Sequence, residues 1–205
     1  MNKLVSQSEF QLPVAPQSTQ GAQDWQRLHW TLEKLDKATE LGLFGEFDHI
    51  ELIGGELVPM AAKGNRHERI RHEIAKWLRR KLPDNLDMET ELGWRPGSGT
   101  YLEPDILIFN ADSSVPEVLP LQVKLLIEVA HSSLNNDLGP RAVVMAALGV
   151  RSYWVVNAVT LDVRAHDDLT GHRYTRIVDH GPADLVTPPL VPELALRMAD
   201  LRIDG

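Results

Sequence analysis

Two acidic residues lie within segments that are otherwise apolar, and they are the first candidates for chemistry. Asp105 opens the run Asp-Ile-Leu-Ile-Phe, and Glu128 lies near the end of Leu-Leu-Ile-Glu-Val-Ala. A buried, ionised carboxylate is costly unless a cation or a hydrogen-bond donor compensates it. If the two segments are neighbouring strands, the carboxylates can converge on a hard divalent cation such as Mg²⁺ or Mn²⁺. The alternative is that each acid caps a strand end or pairs with a nearby arginine.

The composition narrows the kind of metal site that the chain can build. It contains no cysteine, which excludes disulfides, thiolate zinc sites, iron–sulfur clusters and cysteine nucleophiles. Any metal must therefore have oxygen or imidazole ligands. With 205 residues, of which 43% are hydrophobic, the chain is long enough to bury a core without such cross-links.

The charges are distributed unevenly along the chain. The formal net charge is −8, which argues against a protein that binds nucleic acid through its whole surface. Residues 63–81 nevertheless carry eight basic side chains and only two acidic ones. Such a stretch is most often a solvated helix face, but it also favours phosphate contact. The residues predicted to contact nucleic acid are Arg66, Arg69, Lys76 and Arg80.

The spacing of apolar residues predicts the elements that must position these side chains. Helices are predicted at 24–43, 66–82 and 140–148. Hairpins are predicted at 49–58, around Gly54-Gly55, and at 161–178. Buried strands are predicted at 105–109, 122–130 and 153–157, so that Asp105 and Glu128 both lie on strands.

This order of elements indicates an α/β (α+β) fold, with a mixed β-sheet flanked by helices, an N-terminal helix plus hairpin and a C-terminal hairpin. Residues 23–205 are predicted to form a single domain. Residues 1–22 are rich in Gln, Ser and Pro and are expected to be a mobile tail. No apolar run approaches the roughly 20 residues that span a bilayer, and no secretory signal pattern opens the chain, so a cytoplasmic protein without membrane contact is expected.

Several short motifs, in order along the chain, are similar to those of one family. They are Pro104-Asp105-Ile-Leu-Ile, Leu126-Ile-Glu128-Val129 followed by a serine pair, Asp137 with a basic residue four positions later, and Gly149-Val-Arg-Ser-Tyr-Trp-Val-Val156. Together with the hairpin Glu51-Leu-Ile-Gly-Gly-Glu-Leu57 and His67, they resemble the Uma-two endonuclease family of the PD-(D/E)XK nuclease group. The resemblance covers about residues 30–202 and implies a restriction-endonuclease-like core.

The resemblance also implies a mechanism. In this group an Asp and a Glu on adjacent strands hold divalent ions that polarise the scissile DNA phosphate and activate water. The implied metal ligands are Asp105, Glu128 and Val129, and the implied cofactor is Mg²⁺ or Mn²⁺. The position where the group has a lysine is Ala130 here, so Arg141 is expected to supply positive charge, although an arginine cannot act as a base. His67 completes the implied catalytic set.

Other interpretations of the same residues remain open. Asp137 and Arg141 could form an ordinary i to i+4 ion pair, and His67 could be a core or cap residue. Glu51 and Glu56 share one face of the first hairpin, which is expected to be solvated. Because Ala130 replaces the lysine, a catalytically degenerate protein that binds nucleic acid or a protein partner without cleavage is the main alternative. Edge strands of the late hairpin could also pair in a homodimer.

Overall fold

The structure is a computed structural model, and it describes residues 28–45, 49–60, 62–97 and 99–203. The predicted tail, 1–22, lies outside the described residues. Three helices are present within them: α1 (Leu32–Glu40), α2 (Asn65–Arg79) and α3 (Ala142–Leu148). A helical turn at Leu134–Asn136 and a π-helical turn at Asp137–Arg141 lead into α3. None of the described helices is long and apolar enough to cross a membrane.

Ten strands form two sheets within the described part of the chain. They are β1 (Ile50–Ile53), β2 (Glu56–Pro59), β3 (Leu86–Glu89), β4 (Trp94–Gly97), β5 (Thr100–Leu102), β6 (Ile106–Asn110), β7 (Val123–Ala130), β8 (Tyr153–Asn157), β9 (Val163–Thr170) and β10 (Arg173–His180). The larger sheet has the order β10-β9-β8-β7-β6-β3, and the smaller sheet has the order β2-β1-β5-β4. Strands β7 and β8 run parallel, whereas the other pairs are antiparallel.

Successive side chains of the central strands point alternately to the two faces of the larger sheet, and both faces are apolar. Ile106 and Ile108 of β6 pack with one core cluster, which includes Ile70, Ile74 and Leu78 of α2. The intervening Leu107 and Phe109 pack with the other cluster, which includes Met145 of α3 and Trp94 of β4. Because successive strand residues point to opposite faces, a sheet covered on both sides reads as a continuous apolar run. Asp105 and Glu128 interrupt two such runs.

The structure confirms the predicted fold class, with corrections in detail. The sequence indicated one mixed sheet, but the hairpin β1–β2 belongs to a second sheet because Leu52 of β1 pairs with Tyr101 of β5. The helix predicted at 140–148 begins at Ala142, since the backbone through Pro140 has π-helical geometry. Of the helix predicted at 24–43, the described part is helical from Leu32, where the Thr31 hydroxyl caps the N–H of Lys34 at 3.2 Å.

Candidate active site

Asp105 immediately precedes β6, and Glu128 lies on the neighbouring strand β7. The first ladder pair is Ile106 with Ile127, so the two acids lie side by side just beyond the paired end of β6. The backbone N–H of Asp105 donates to Oε2 of Glu128 at 3.3 Å. Both residues are buried, with exposed fractions of 2% and 6%. The strands are thus neighbours, as convergence of the two carboxylates required.

The Asp105 carboxylate is held by donors from three directions. Its Oδ2 accepts the backbone N–H of Val129 at 2.8 Å and contacts Nε2 of His67 at 2.9 Å. Its Oδ1 lies 3.0 Å from the Lys63 ammonium but has no partner with hydrogen-bond geometry among the described residues. Burial opposes ionisation, yet the His67 contact and the Lys63 charge prevail and lower the pKa of Asp105 to about 2.

The Glu128 carboxylate is held from the other side by Arg141. Nε and Nη2 of Arg141 donate to Oε1 of Glu128 at 2.9 and 2.7 Å, while its two terminal nitrogens also donate to Glu51. Burial and the nearby carboxylates, Asp105 first among them, raise the pKa of Glu128 despite the Arg141 charge. Oε2 of Glu128, which Arg141 does not engage, is the oxygen nearest the backbone of Asp105. Arg141 therefore lies on the Glu51 side of Glu128.

The π-helical turn places Arg141 within this cluster. The Tyr153 hydroxyl donates to the backbone carbonyl of Asp137 at 3.1 Å and fixes the turn against β8. The i to i+4 pairing of Asp137 with Arg141 is loose, since Oδ1 and Nε are 4.0 Å apart. The dominant partners of Arg141 are Glu128 and Glu51, so the local ion pair is not its main role. A π-turn at such a position often accompanies a functional site.

Glu51 and Lys63 belong to the cluster, although sequence reasoning did not place them there. The expectation of a solvated hairpin face is wrong for Glu51, which is 2% exposed, and fits Glu56, which is exposed. Because β1 pairs with β5 in the smaller sheet, Glu51 lies next to Arg141. The Oε1 atom of Glu51 also accepts the backbone N–H of Glu103 at 3.0 Å. The available signal was that Glu51, like Asp105 and Glu128, is an acid flanked by apolar strand residues.

These side chains line a cavity of about 690 Å³. Its lining includes Glu51, Lys63, His67, Asp105, Glu128 and Arg141, together with the serine pair Ser132 and Ser133. Within the described ranges, no three His, Asp or Glu side chains are arranged as a complete metal-binding group. Oδ1 of Asp105, which lies 3.0 Å from the Lys63 ammonium, and Oε2 of Glu128, which accepts the Asp105 N–H at 3.3 Å, nevertheless have the hard-donor chemistry that Mg²⁺ or Mn²⁺ prefers.

The predicted nucleic-acid contacts are exposed, but they already have protein partners. Arg66 donates to the carbonyls of Ala158 and Val159, and Arg69 donates to the carbonyl of Ile203 at 3.3 Å. Lys76 pairs with Glu73 at 3.0 Å, and the Arg80 guanidinium lies 5.7 Å from the centre of the Trp77 ring. Arg66 also lines the cavity. DNA contact by these four residues stays a prediction.

The comparisons with known proteins agree with this architecture. The Uma2 family, which carries the description "putative restriction endonuclease", matches residues 33–199. The chain belongs to the Uma2 family. The crystal structure of a "putative nuclease belonging to DUF820" from Anabaena variabilis has a TM-score of 0.63 and 18% sequence identity, over 83% of this chain and 96% of that chain. No curated protein matches the chain.

Family membership and structural similarity confirm the resemblance inferred from the short motifs. At 18% identity the Anabaena structure supports the fold of this Uma2 chain and nothing finer. The site itself is described by the geometry above, in which Ala130 is fully buried in the core cluster that includes Met145 of α3. The lysine and arginine charges of the cavity therefore come from Lys63, Arg66 and Arg141, which lie outside β7.

Proposed function

We propose that this Uma2 protein is an endonuclease that hydrolyses phosphodiester bonds in DNA with the help of Mg²⁺ or Mn²⁺. The observation that carries the proposal is the pair of buried carboxylates, Asp105 and Glu128, opposed on adjacent strands and open to a shared cavity. Each carboxylate retains one oxygen that is weakly engaged, Oδ1 of Asp105 and Oε2 of Glu128. Membership of a nuclease family supports the same conclusion.

The charge of the cluster favours a divalent cation. Four acids line the cavity (Glu51, Asp105, Glu128 and Asp137) beside three cationic side chains, Lys63, Arg66 and Arg141. When all four acids are ionised and the lining histidines are neutral, the cluster has one negative charge in excess. The neighbouring carboxylates contribute to the raised pKa of Glu128, because they disfavour its ionised form. A bound divalent ion would offset this repulsion.

Asp105 and Glu128 would hold the ion, with Val129 contributing through its backbone carbonyl. When bound, such an ion polarises the scissile phosphate and lowers the pKa of a coordinated water. His67 orients Asp105 through the contact between Nε2 and Oδ2, which leaves Oδ1 directed elsewhere. Arg141 fixes the rotamer of Glu128 and cannot act as a base, because a guanidinium keeps its proton at any working pH.

The proposal includes DNA as the partner, bound in part through the basic residues of α2, and a cytoplasmic location. An electropositive helix beside the catalytic cavity would position the phosphate backbone without reading bases. The exposed outer strand β10 ends the larger sheet, and pairing of two such edges would give a homodimer.

The decisive experiment incubates plasmid and branched DNA with Mn²⁺ and compares the wild type with Glu128→Gln. We expect nicking by the wild type and loss of nicking in the variant, because Glu128 would hold the ion. Glu193→Gln, an exposed acid, serves as the matched control and should nick normally. Equal nicking by the wild type and Glu128→Gln would indicate a contaminating nuclease and would contradict the proposal.

One observation favours a second candidate, a protein that binds DNA without cleaving it. Lys63, His67 and Arg141 already compensate Asp105, Glu128 and Glu51 in the absence of a metal. Such a protein would bind DNA with an affinity that does not depend on Mn²⁺, and Mn²⁺ would not raise its melting temperature. A rise that Asp105→Asn abolishes would instead support the metal site.

A further inference from the structure

We propose that Lys63 is the residue that contacts the scissile phosphate, an inference that rests on the proposed nuclease function and adds a substrate-binding side chain to it. Lys63 lies just before α2 and lines the cavity. Its ammonium is 3.0 Å from Oδ1 of Asp105 and 3.1 Å from Oε1 of Glu91. It is thus a cation held at the weakly engaged oxygen of the Asp105 carboxylate.

The donors of Lys63 are not exhausted by these contacts. An ammonium has three N–H donors and rotates freely on a flexible four-carbon stem. The ammonium donates one hydrogen bond, to Oε1 of Glu91, while its contact with Oδ1 of Asp105 is an ion pair without hydrogen-bond geometry. The side chain retains 23% exposure, so at least one donor remains for a ligand in the cavity.

The other permanently charged side chains that line the described cavity are less able to do this. Arg141 makes four hydrogen bonds to Glu51 and Glu128 and is only 8% exposed, so contact with a phosphate would break buried ion pairs. Arg66 bonds to the carbonyls of Ala158 and Val159 on the connection after β8. Among the lining residues that the structure describes, Lys63 combines positive charge, mobility and proximity to Asp105.

A divalent ion at Asp105 would strengthen this arrangement. The ion and the ammonium compete for Oδ1, and their like charges repel at such short range. An ammonium released from Asp105 in this way would be available to a phosphate that enters the cavity. Lys63 would then act as a compact point charge on the phosphate as negative charge develops there.

The test compares Lys63→Met, which removes the charge at similar length, with Lys63→Arg, which keeps it. Lys37→Met is the control, since Lys37 also pairs with a carboxylate but lies on the exposed face of α1. Fluorescence anisotropy measures binding of a short duplex in a Glu128→Gln background, which prevents cleavage, at several KCl concentrations with Mg²⁺ present. Cleavage of the same duplex is measured in the wild-type background.

Affinity falls as the salt concentration rises, and we expect this dependence to be less steep in Lys63→Met. The magnitude of the slope of log affinity against log salt should decrease by about 1, because one phosphate contact is lost. Cleavage should fall by about 10²-fold, as when one charge-stabilising donor is removed from an active site. Lys63→Arg should restore the salt slope, and Lys37→Met should match its parent in both assays.

An unchanged slope in Lys63→Met would overturn the inference, even if its melting temperature or Mn²⁺ affinity changed, since those effects would follow from an ion-pair role alone. Normal cleavage by the wild type in that case would leave the nuclease proposal standing. A lowered slope with no cleavage by the wild type would refute the nuclease function and retain Lys63 as a phosphate contact. Absence of DNA binding by the parent protein would overturn both.

Discussion

Within the described ranges, carboxylates are buried in two places, and the two differ in what surrounds them. At the cavity, Asp105 faces Glu128 across adjacent strands. In the distal part of the sheet, Asp167 of β9 is 1% exposed and accepts the Ser152 hydroxyl at 2.6 Å, while Arg176 of β10 lies 3.1 Å away. Both places combine a buried acid, an arginine and a hydrogen-bonding neighbour.

The two places differ in the balance of acidic and basic side chains and in whether every carboxylate oxygen has a hydrogen-bond partner. Each oxygen of Asp167 has a partner, one in Ser152, which immediately precedes β8, and one in Arg176, which pairs with Asp167 across β10 and β9. Burial raises the pKa of Asp167, as it raises that of Glu128. A raised carboxyl pKa therefore does not by itself identify a catalytic centre. An acid excess with an unbonded oxygen in a cavity is the more specific sign.

The largest effect should follow from Arg141→Met. This change leaves Glu51 and Glu128 buried without their cation, and breaking a buried pair in this way costs about 3–5 kcal/mol of unfolding free energy. Arg176→Met should cost less, about 1–3 kcal/mol, because it leaves one oxygen of the buried Asp167 carboxylate without its partner while solvent can reach the 43% exposed Arg176 position. Urea denaturation of both variants makes the measurement, and equal losses would erase the contrast between the two clusters.

Asp105→Asn should be next, with an effect on function. Loss of one oxygen of the proposed metal site should lower DNA cleavage by at least about 10²-fold and abolish the rise in melting temperature with Mn²⁺. Asp167→Asn is the matched control, since it neutralises an equally buried acid. Its cleavage rate and Mn²⁺ response should remain those of the wild type. If both variants lost activity alike, the distinction between a catalytic and a structural acid would fail.

Ser152→Ala alters the distal cluster around Asp167 and should lower stability without changing cleavage. Removal of the hydroxyl leaves Oδ1 of Asp167 without its donor, which should cost about 1–3 kcal/mol of unfolding free energy. Cleavage per folded molecule should be unchanged, because no residue of the cavity is altered. Differential scanning calorimetry together with the plasmid assay gives both quantities. Reduced cleavage at full folding would show that the two clusters are coupled.

The smallest effect concerns acid stability and His166, which lies between the rings of Tyr153 and Tyr174 at 5.5 Å from each. Burial lowers the pKa of His166 below 6.5, so the folded protein keeps the ring neutral while the unfolded chain takes up a proton. Its contribution to stability is present above pH 6.5 and declines as the pH falls through the lowered pKa. In His166→Phe, the unfolding free energy measured in urea should fall less between pH 7 and pH 5. An identical fall would contradict this origin.

Most elements of the fold could be predicted from the sequence, because their apolar periodicity is strong. The hairpin around Gly54-Gly55, the helix α2 and the strands β6, β7 and β8 were each predicted with small shifts at their ends. The division into two sheets was missed, since it depends on the pairing of Leu52 with Tyr101, which are far apart in the chain. Local spacing carries no information on such a contact.

Parts of the site were equally accessible to sequence reasoning. Asp105 and Glu128 were found because a charged residue within an apolar strand demands compensation, and Glu51 satisfies the same criterion. Lys63 gave no comparable signal, as it was one of eight basic residues in a polar stretch. Its importance comes from the loop before α2, which turns its ammonium toward Asp105.

The order of apolar and charged residues thus determined the secondary structure and the acids that had to meet a cation. The tertiary structure alone decided which cations they meet, Arg141 at Glu128 and Glu51 and Lys63 with His67 at Asp105. The reason is physical. The energetic penalty of burying a charge is a property of the residue and its neighbours in sequence, whereas its compensation depends on distances between segments that only folding brings together.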